Sequence, residues 1–288
     1  MSSASHRRIT YAQHFLKDSC LVTSLLARCD INSNDVVYEI GPGKGIITEQ
    51  LALRCKQVVA IEIDPCLTTM LRQRFASTPD VIIREGDFLE YHLPRKPYKV
   101  FANIPFNITA AIVTKLTLEE NPPEDAYLVM QKEAAERFLG KPHESLYSVL
   151  LKPWFEVELL HRFRRKDFTP PPHVDVVMLR LRKRGPPLVN RADRQCFRDF
   201  VVHSFTAWQP TLGHILKDIF TRPQLKHIRR ELEIDLDATP TSLTFEQWLN
   251  LFECFKKVGN REAMDKIMGS EKRLRQRQSN FNPRREKV

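Results

Sequence analysis

The chain has no window approaching 18 uninterrupted apolar residues, which excludes a helical membrane span. Met1 to Arg8 is polar and basic and leads into no apolar core, so no secretory signal is visible. Its six cysteines (Cys20, Cys29, Cys55, Cys66, Cys196, Cys254) are scattered, with no CxxC pair. That spacing argues against a zinc site and a disulfide framework, and fits free thiols in a reducing cytoplasm. Acidic residues are in deficit: 45 Lys and Arg against 35 Asp and Glu give a formal charge of +10. A polyanionic partner is therefore favoured, because each cation placed on a phosphate releases counterions. Net charge says nothing about fold.

What is present is a series of strand-like apolar runs, each ending on a short polar motif. Asp35 to Ile40 reads as a buried strand leading into Gly41-Pro42-Gly43-Lys44-Gly45, and a helix from Ile46 to Arg54 follows. A glycine-rich turn between strand and helix lets the backbone approach a nucleotide-like ligand. The second strand, Gln57 to Glu62, ends on Glu62-Ile63-Asp64, placing an acid 21 residues after Gly41. That matches the spacing of roughly 20 expected for a carboxylate on a ribose hydroxyl. The glycines read GxGxG rather than the GxGxxG of a dinucleotide site, and Lys44 is not followed by Ser or Thr as in a phosphate-gripping loop.

A helix from Pro65 to Phe75 and a strand from Val81 to Arg84 lead to Gly86-Asp87-Phe88. Asp87 can accept from an adenine amino group, and Phe88 can lie against the ring. The fourth strand, Tyr98 to Ala102, delivers Asn103-Ile104-Pro105-Phe106. An amide oxygen and a backbone carbonyl aimed the same way can both accept from one exocyclic amino group. Pro105 stiffens the turn, and Phe106 offers a face for a planar base. Alone, the tetrapeptide reads as an ordinary strand-to-helix loop. Four such loops at the carboxyl ends of one parallel sheet converge where ligands collect.

Upstream, Asp18 reads as the cap of a helix from Ser19 to about Cys29, preceded by Gln13-His14-Phe15-Leu16. Downstream, Asp125 to Gln131 reads as a strand and Lys132 to Leu139 as a helix, with Pro153 to Phe163 and Val174 to Arg182 completing the sheet as an antiparallel pair. The basic residues Arg162, Arg164, Arg165 and Lys166 flank a Phe168-containing loop, and Gly185-Pro186-Pro187 marks a boundary. The expected organisation is an α/β sheet domain over 1–184, a helical domain over 185–258, and a mobile basic tail over 259–288 that includes Lys272, Arg273, Arg275, Arg277, Arg284, Arg285 and Lys287.

Taken together, these motifs and Phe168-Thr169-Pro170-Pro171-Pro172-His173-Val174-Asp175 resemble the rRNA adenine-N6 dimethyltransferases. The resemblance implies a Rossmann-like fold with helices on both faces of the sheet, S-adenosylmethionine as cofactor, and an rRNA partner. It implies cofactor contacts at Gln13, His14, Leu16, Gly41, Gly43, Glu62, Ile63, Asp87, Phe88 and Asn103. It further implies that Asn103 and the Ile104 carbonyl hold the target N6, with Pro105 shaping the loop, Phe106 stacking on the base and Phe168 capping its other face. His14 stands where the family commonly has Asn. One branch of the family acts on small-subunit rRNA and usually has Leu and Tyr in the second and fourth places of the tetrapeptide. Ile104 and Phe106 are nearer the erythromycin-resistance methylases, which act on 23S rRNA. The expectation is thus a cytoplasmic, monomeric, metal-independent enzyme acting on protein-free or precursor 23S rRNA. A small-subunit dimethyltransferase, a non-catalytic nucleic-acid-binding relative and, more distantly, a dinucleotide oxidoreductase are the alternatives.

Overall fold

Apolar runs of five to seven residues punctuated by glycine and acids become strands, and the amphipathic segments between them become helices. The computed structural model describes residues 14–118 and 120–281. In chain order the elements are β1 (Phe15–Leu16), α1 (Ser19–Leu26), β2 (Val36–Ile40), α2 (Ile46–Ala52), β3 (Gln57–Glu62), α3 (Pro65–Arg74), β4 (Val81–Glu85), β5 (Lys99–Asn103), α4 (Thr109–Leu118), β6 (Asp125–Gln131), α5 (Lys132–Leu139), α6 (Leu146–Leu151), β7 (Phe155–Arg162), β8 (Phe168–Thr169) and β9 (Val176–Lys183). They continue with α7 (Arg194–Thr206), α8 (Leu212–Leu216), α9 (Arg222–Glu231), α10 (Phe245–Val258), α11 (Arg261–Ile267) and α12 (Ser270–Phe281).

The large sheet has the order β4-β3-β2-β5-β6-β9-β7. Its β4, β3, β2, β5 and β6 are parallel, and β9 runs antiparallel to β6. Strand order reverses between β2 and β5, the topological switch point at which open α/β sheets bind ligands. Register pairs Ile40 with Ile61 and with Ala102, and Glu62 with Glu85. The four strands therefore end level, and the residues that follow them share one rim.

Helices flank this sheet. Val22, Leu25 and Leu26 of α1 and Ile47 and Leu51 of α2 share a core with Val37, Val58, Phe101 and Tyr127 of the strands. Each fully buried aliphatic side chain of this kind contributes about 1.5–3 kcal/mol. Asp18 caps α1 by accepting from Cys20 N at 2.8 Å and Leu21 N at 3.3 Å. The helix ends at Leu26, three residues earlier than its apolar pattern suggests.

The chain forms two compact units, Met1–Ala135 with Glu156–Lys183, and Glu136–Phe155 with Arg184–Val288. A single boundary at 184 thus misses a detour. Residues 136–155 belong with the helices because Val149 of α6, with Leu146, Leu150 and Trp154, packs into the core built by Phe197, Phe200, Trp248, Phe252 and Phe255. The expected mobile tail is also corrected over its described part. Residues 261–267 and 270–281 are helical. Ala263 and Ile267 of α11 pack into the helical core, whereas the start of α12 is held by charge. The buried Arg198 of α7 donates to both oxygens of buried Glu271 at 2.9 and 2.7 Å, and Asp199 accepts from Gly269 N and Glu271 N.

Candidate active site

Gly41, Glu62, Asp87 and Asn103 lie at the four level strand ends or within two residues beyond them. Gly41 has φ +65°, and a Cβ there would meet nothing within 4 Å, so the backbone lies open to an approaching group. Gly43, at φ +58°, is closed instead. A Cβ on it would come within 2.8 Å of the Phe15 ring, so Phe15 requires glycine beneath it.

Glu62 is buried at the end of β3, where Oε2 accepts from Gly43 N at 3.1 Å and Oε1 from Asp64 N at 3.0 Å. These bonds tie the acid to the glycine turn and aim it along the rim. Burial raises the Glu62 carboxyl above the ordinary range, opposed by the N–H groups of Asp64, Gly43 and Ile63. Next to it, Ile63 is an exposed large apolar side chain, available to a planar ring. Asp87 Oδ1 accepts from Leu89 N at 2.8 Å, which fixes the half-buried carboxylate in its turn. Phe88 is only 5% exposed, with Lys115 Nζ 5.9 Å from its ring centre. It therefore holds the floor of the turn and offers a ligand little face.

At the end of β5, Asn103 Nδ2 donates to His14 O at 2.8 Å. A carbonyl can only accept, so the amide nitrogen must face His14 and Oδ1 is turned away from it. Ile104 is buried, and its N–H donates to Val129 O at 3.0 Å, which anchors the loop to β6. Pro105 opens a 3-10 turn over Phe106–Ile108 at φ −57°, leaving Phe106 half-buried. Asn103, Ile104, Pro105 and Phe106 line one cleft with Gly41, His14 and Phe15.

The segment before α1 is pinned across this cleft. Phe15 and Leu16 pair antiparallel with Thr169 and Phe168, and His14 Nδ1 lies 2.7 Å from Pro170 O. Two expectations change as a result. The pairing turns the Phe168 ring inward, where it is 1% exposed and meets Phe163 edge-on, so it presents no second face to a base. Leu16 is likewise core, leaving only its backbone to face a ligand. Gln13 lies outside the described residues. One contact was not foreseen: the His14 ring stacks on Phe106, with centres 5.5 Å apart and planes at 26°.

A second unforeseen group lies beneath the glycine turn. Glu39 is fully buried on β2, with Oε2 accepting from Thr48 Oγ1 at 2.6 Å and Oε1 without a partner among the described residues. Burial pushes its carboxyl up to about 8, the Thr48 hydrogen bond opposing and the charge of Glu62 adding. The signal in the sequence was a lone acid inside an otherwise apolar strand, a polar group that must find a donor.

With this geometry in view, the relatives become informative. The chain matches the ribosomal RNA adenine dimethylase family over residues 4–257. It belongs to that family. An rRNA adenine N-6-methyltransferase of Bacillus licheniformis is 32% identical over 244 residues, covering 83% of this chain and 84% of that protein. Ribosomal RNA small subunit methyltransferase A of Nostoc punctiforme is 32% identical over 267 residues, covering 85% of this chain and 93% of that protein. Among solved structures, the 23S rRNA methyltransferase ErmE superposes with a TM-score of 0.77 at 30% identity, covering 84% of this chain and 99% of that one.

This dimethylase-family chain is thus an rRNA adenine N6-methyltransferase, with S-adenosylmethionine as its methyl donor. The rim fits that donor: an open glycine backbone at Gly41, a buried acid at Glu62, an exposed apolar side chain at Ile63 and a fixed carboxylate at Asp87. Among the described residues no cluster of His, Cys, Asp and Glu is placed to hold a metal ion.

Proposed function

We propose that this enzyme methylates N6 of a specific adenosine in 23S rRNA, as the erythromycin-resistance methylases do, and thereby confers resistance to macrolide, lincosamide and streptogramin B antibiotics. The observation that carries the reading is the strand-end acceptor. Asn103 Oδ1 is turned away from His14 by the Nδ2 bond and sits in one cleft with Ile104 and the half-buried Phe106. The Ile and Phe of the tetrapeptide and the likeness to ErmE support the 23S target over the small-subunit one. The likeness to small subunit methyltransferase A keeps the small-subunit rRNA as the second reading.

When bound, the donor supplies a sulfonium methyl group. Glu62 accepts from its ribose hydroxyls, Asp87 from its adenine amino group, and Ile63 packs on its ring. The backbone at Gly41 and Gly43 would pass under its methionine end, with the segment bearing His14 closing over the donor. The adenine N6 lone pair is delocalised into the ring, so the amino group is a poor nucleophile. Asn103 Oδ1 and the Ile104 carbonyl favour a tetrahedral nitrogen whose lone pair faces the methyl. Positioning and electrostatics then supply most of the acceleration. A proton can leave after transfer, so no dedicated base is required. The target base is unstacked to reach the cleft, at a cost of a few kcal/mol, which favours loops and single strands. The enzyme works as a monomer in the cytoplasm on protein-free or precursor large-subunit RNA.

The deciding experiment is transfer of labelled methyl from S-adenosylmethionine to protein-free 23S and small-subunit rRNA, each mapped by primer extension. The reading requires label at one adenosine of 23S rRNA, seen as a primer-extension stop where two methyls are added and as a labelled nucleoside where one is. A stop confined to the small-subunit RNA would assign the second reading instead.

A further inference from the structure

The family match ends at residue 257, so α11 and α12 lie beyond it. Between α7 and α12 is a polar cavity of about 160 Å³ lined by His203, Thr206, Ala207, Ser270, Arg273 and Arg277, with Leu274 its only large apolar contributor. None of its lining residues is acidic. The nearby acids are committed elsewhere: Asp199 caps Gly269 N and Glu271 N, and Glu271 is held by Arg198, Arg275 and Gln195. Asp218, which acts on His203 electrostatically, is opposed there by Arg273 and Lys266.

The donors converge from several directions. Arg273 binds Met268 O and Ser270 Oγ, which holds its guanidinium at the cavity wall and leaves the Ser270 hydroxyl hydrogen free to donate. Arg277 is exposed one turn further along α12. His203 Nε2 is buried and has no hydrogen-bond partner among the described residues. A buried polar atom of this kind calls for a partner. Trp208, 89% exposed, directly follows the cavity-lining Ala207 in the chain and offers a flat face to solvent.

We infer that this cavity binds a phosphate group, held by Arg273, Arg277, Ser270 Oγ and His203 Nε2. Several tetrahedral oxygens meet donors from two helices better than a planar carboxylate does, and arginine suits phosphate geometry. The phosphate is either one unit of the RNA backbone, whose neighbouring base stacks on Trp208, or a free phosphate ion.

The test has two arms on the full-length protein. Inorganic phosphate is titrated by calorimetry, and protein-free rRNA binding is measured across a salt series. Variants are Arg277→Ala, His203→Gln and Trp208→Ala, with Arg229→Ala as an exposed control far along the sequence and circular dichroism confirming the fold. If free phosphate is the ligand, its affinity falls about tenfold or more in Arg277→Ala. It stays unchanged in Trp208→Ala and Arg229→Ala, and the RNA salt slope does not move. If the RNA backbone is the ligand, Arg277→Ala lowers the slope of log affinity against log salt by about 0.7. Trp208→Ala then weakens RNA without changing that slope. Should His203→Gln fail to fold, Arg277→Ala, at an exposed position, still decides. Phosphate affinity insensitive to Arg277, together with an RNA slope moved no more than by Arg229→Ala, would overturn the assignment.

Discussion

At the scale of single residues, the strand-end model separates chemistry from binding. Asn103→Ala removes the acceptor but leaves Gly41, Glu62 and Asp87 in place. We expect a rate loss of about 10²–10³ in single-turnover methylation with saturating donor, as for removal of other transition-state hydrogen-bonding groups. A wild-type rate would reduce the tetrapeptide to an ordinary loop. Phe106→Ala should instead weaken base capture by about 1–3 kcal/mol, while Phe106→Tyr keeps the ring and most activity. Glu62→Ala should cost S-adenosylmethionine about 1.5–3 kcal/mol of affinity by calorimetry. Unchanged affinity would remove Glu62 from the donor site. Glu39 makes a prediction of another kind. Its carboxyl sits near 8 in the fold against about 4.3 when unfolded, so the folded state holds the extra proton. Stability from this group is therefore complete below about pH 4 and is lost as pH rises toward 8. Glu39→Gln, a neutral stand-in, should flatten that decline and raise the melting temperature most at pH 8. An equal change at pH 5 and pH 8 would show that Glu39 is ionised throughout.

At the scale of elements, the α7–α12 contact rests on the Arg198–Glu271 pair, whose side chains are 10% and 7% exposed. Burial alone would raise the Glu271 carboxyl, but hydrogen bonds and charge from Arg198, then Arg275, pull it down to about 2. Its stabilisation is present above the unfolded value near 4.3 and is lost as pH falls toward 2. Glu271→Ala strands a buried guanidinium, a change worth about 3–5 kcal/mol. Amide exchange in α12 should rise far more than in β6, and equal protection of α12 in the variant and the unmodified protein would show that other contacts hold the helix. This pair also explains why the sequence concealed α12. Ser270 to Phe281 has little apolar pattern, and its partners Arg198 and Asp199 lie some 70 residues earlier. The parallel strands, by contrast, were legible to within a residue or two, because buried runs such as Gln57–Glu62 and Asp125–Gln131 are bounded by turn residues and acids. Their polar ends were legible for the same reason. Which way a ring faces was not: Phe168 turns inward because Phe15–Leu16 pairs with it from about 150 residues away. The detour of 136–155 was hidden likewise, since chain order alone cannot say that α6 packs on α7.

At the scale of the whole molecule, the governing property is charge. A net +10 gives the protein a surface that RNA approaches by counterion release, largely independent of sequence. The exposed Arg162 ends β7 and the exposed Lys166 follows it in the unit that carries the site; neither pairs with an acid among the described residues, whereas Arg164 pairs with Asp167 and Arg165 faces Asp175 at 3.8 Å. Deleting the C-terminal region would be a poor probe of such contacts, because Ala263 and Ile267 of α11 are buried in the helical core. Neutralising exposed cations is the cleaner test. For six to ten phosphate contacts on single-stranded RNA, the slope of log affinity against log salt should lie between about −4 and −7. Arg162→Gln with Lys166→Gln should make it shallower by up to about 1.4 if both touch phosphate. Because neither residue borders the Asn103 cleft, the single-turnover rate at saturating RNA should hold while the half-saturating RNA concentration rises. Filter binding across 50 to 200 mM salt measures the slope. An affinity indifferent to salt would mean that the basic surface serves solubility, and that recognition lies in base contacts at the cleft.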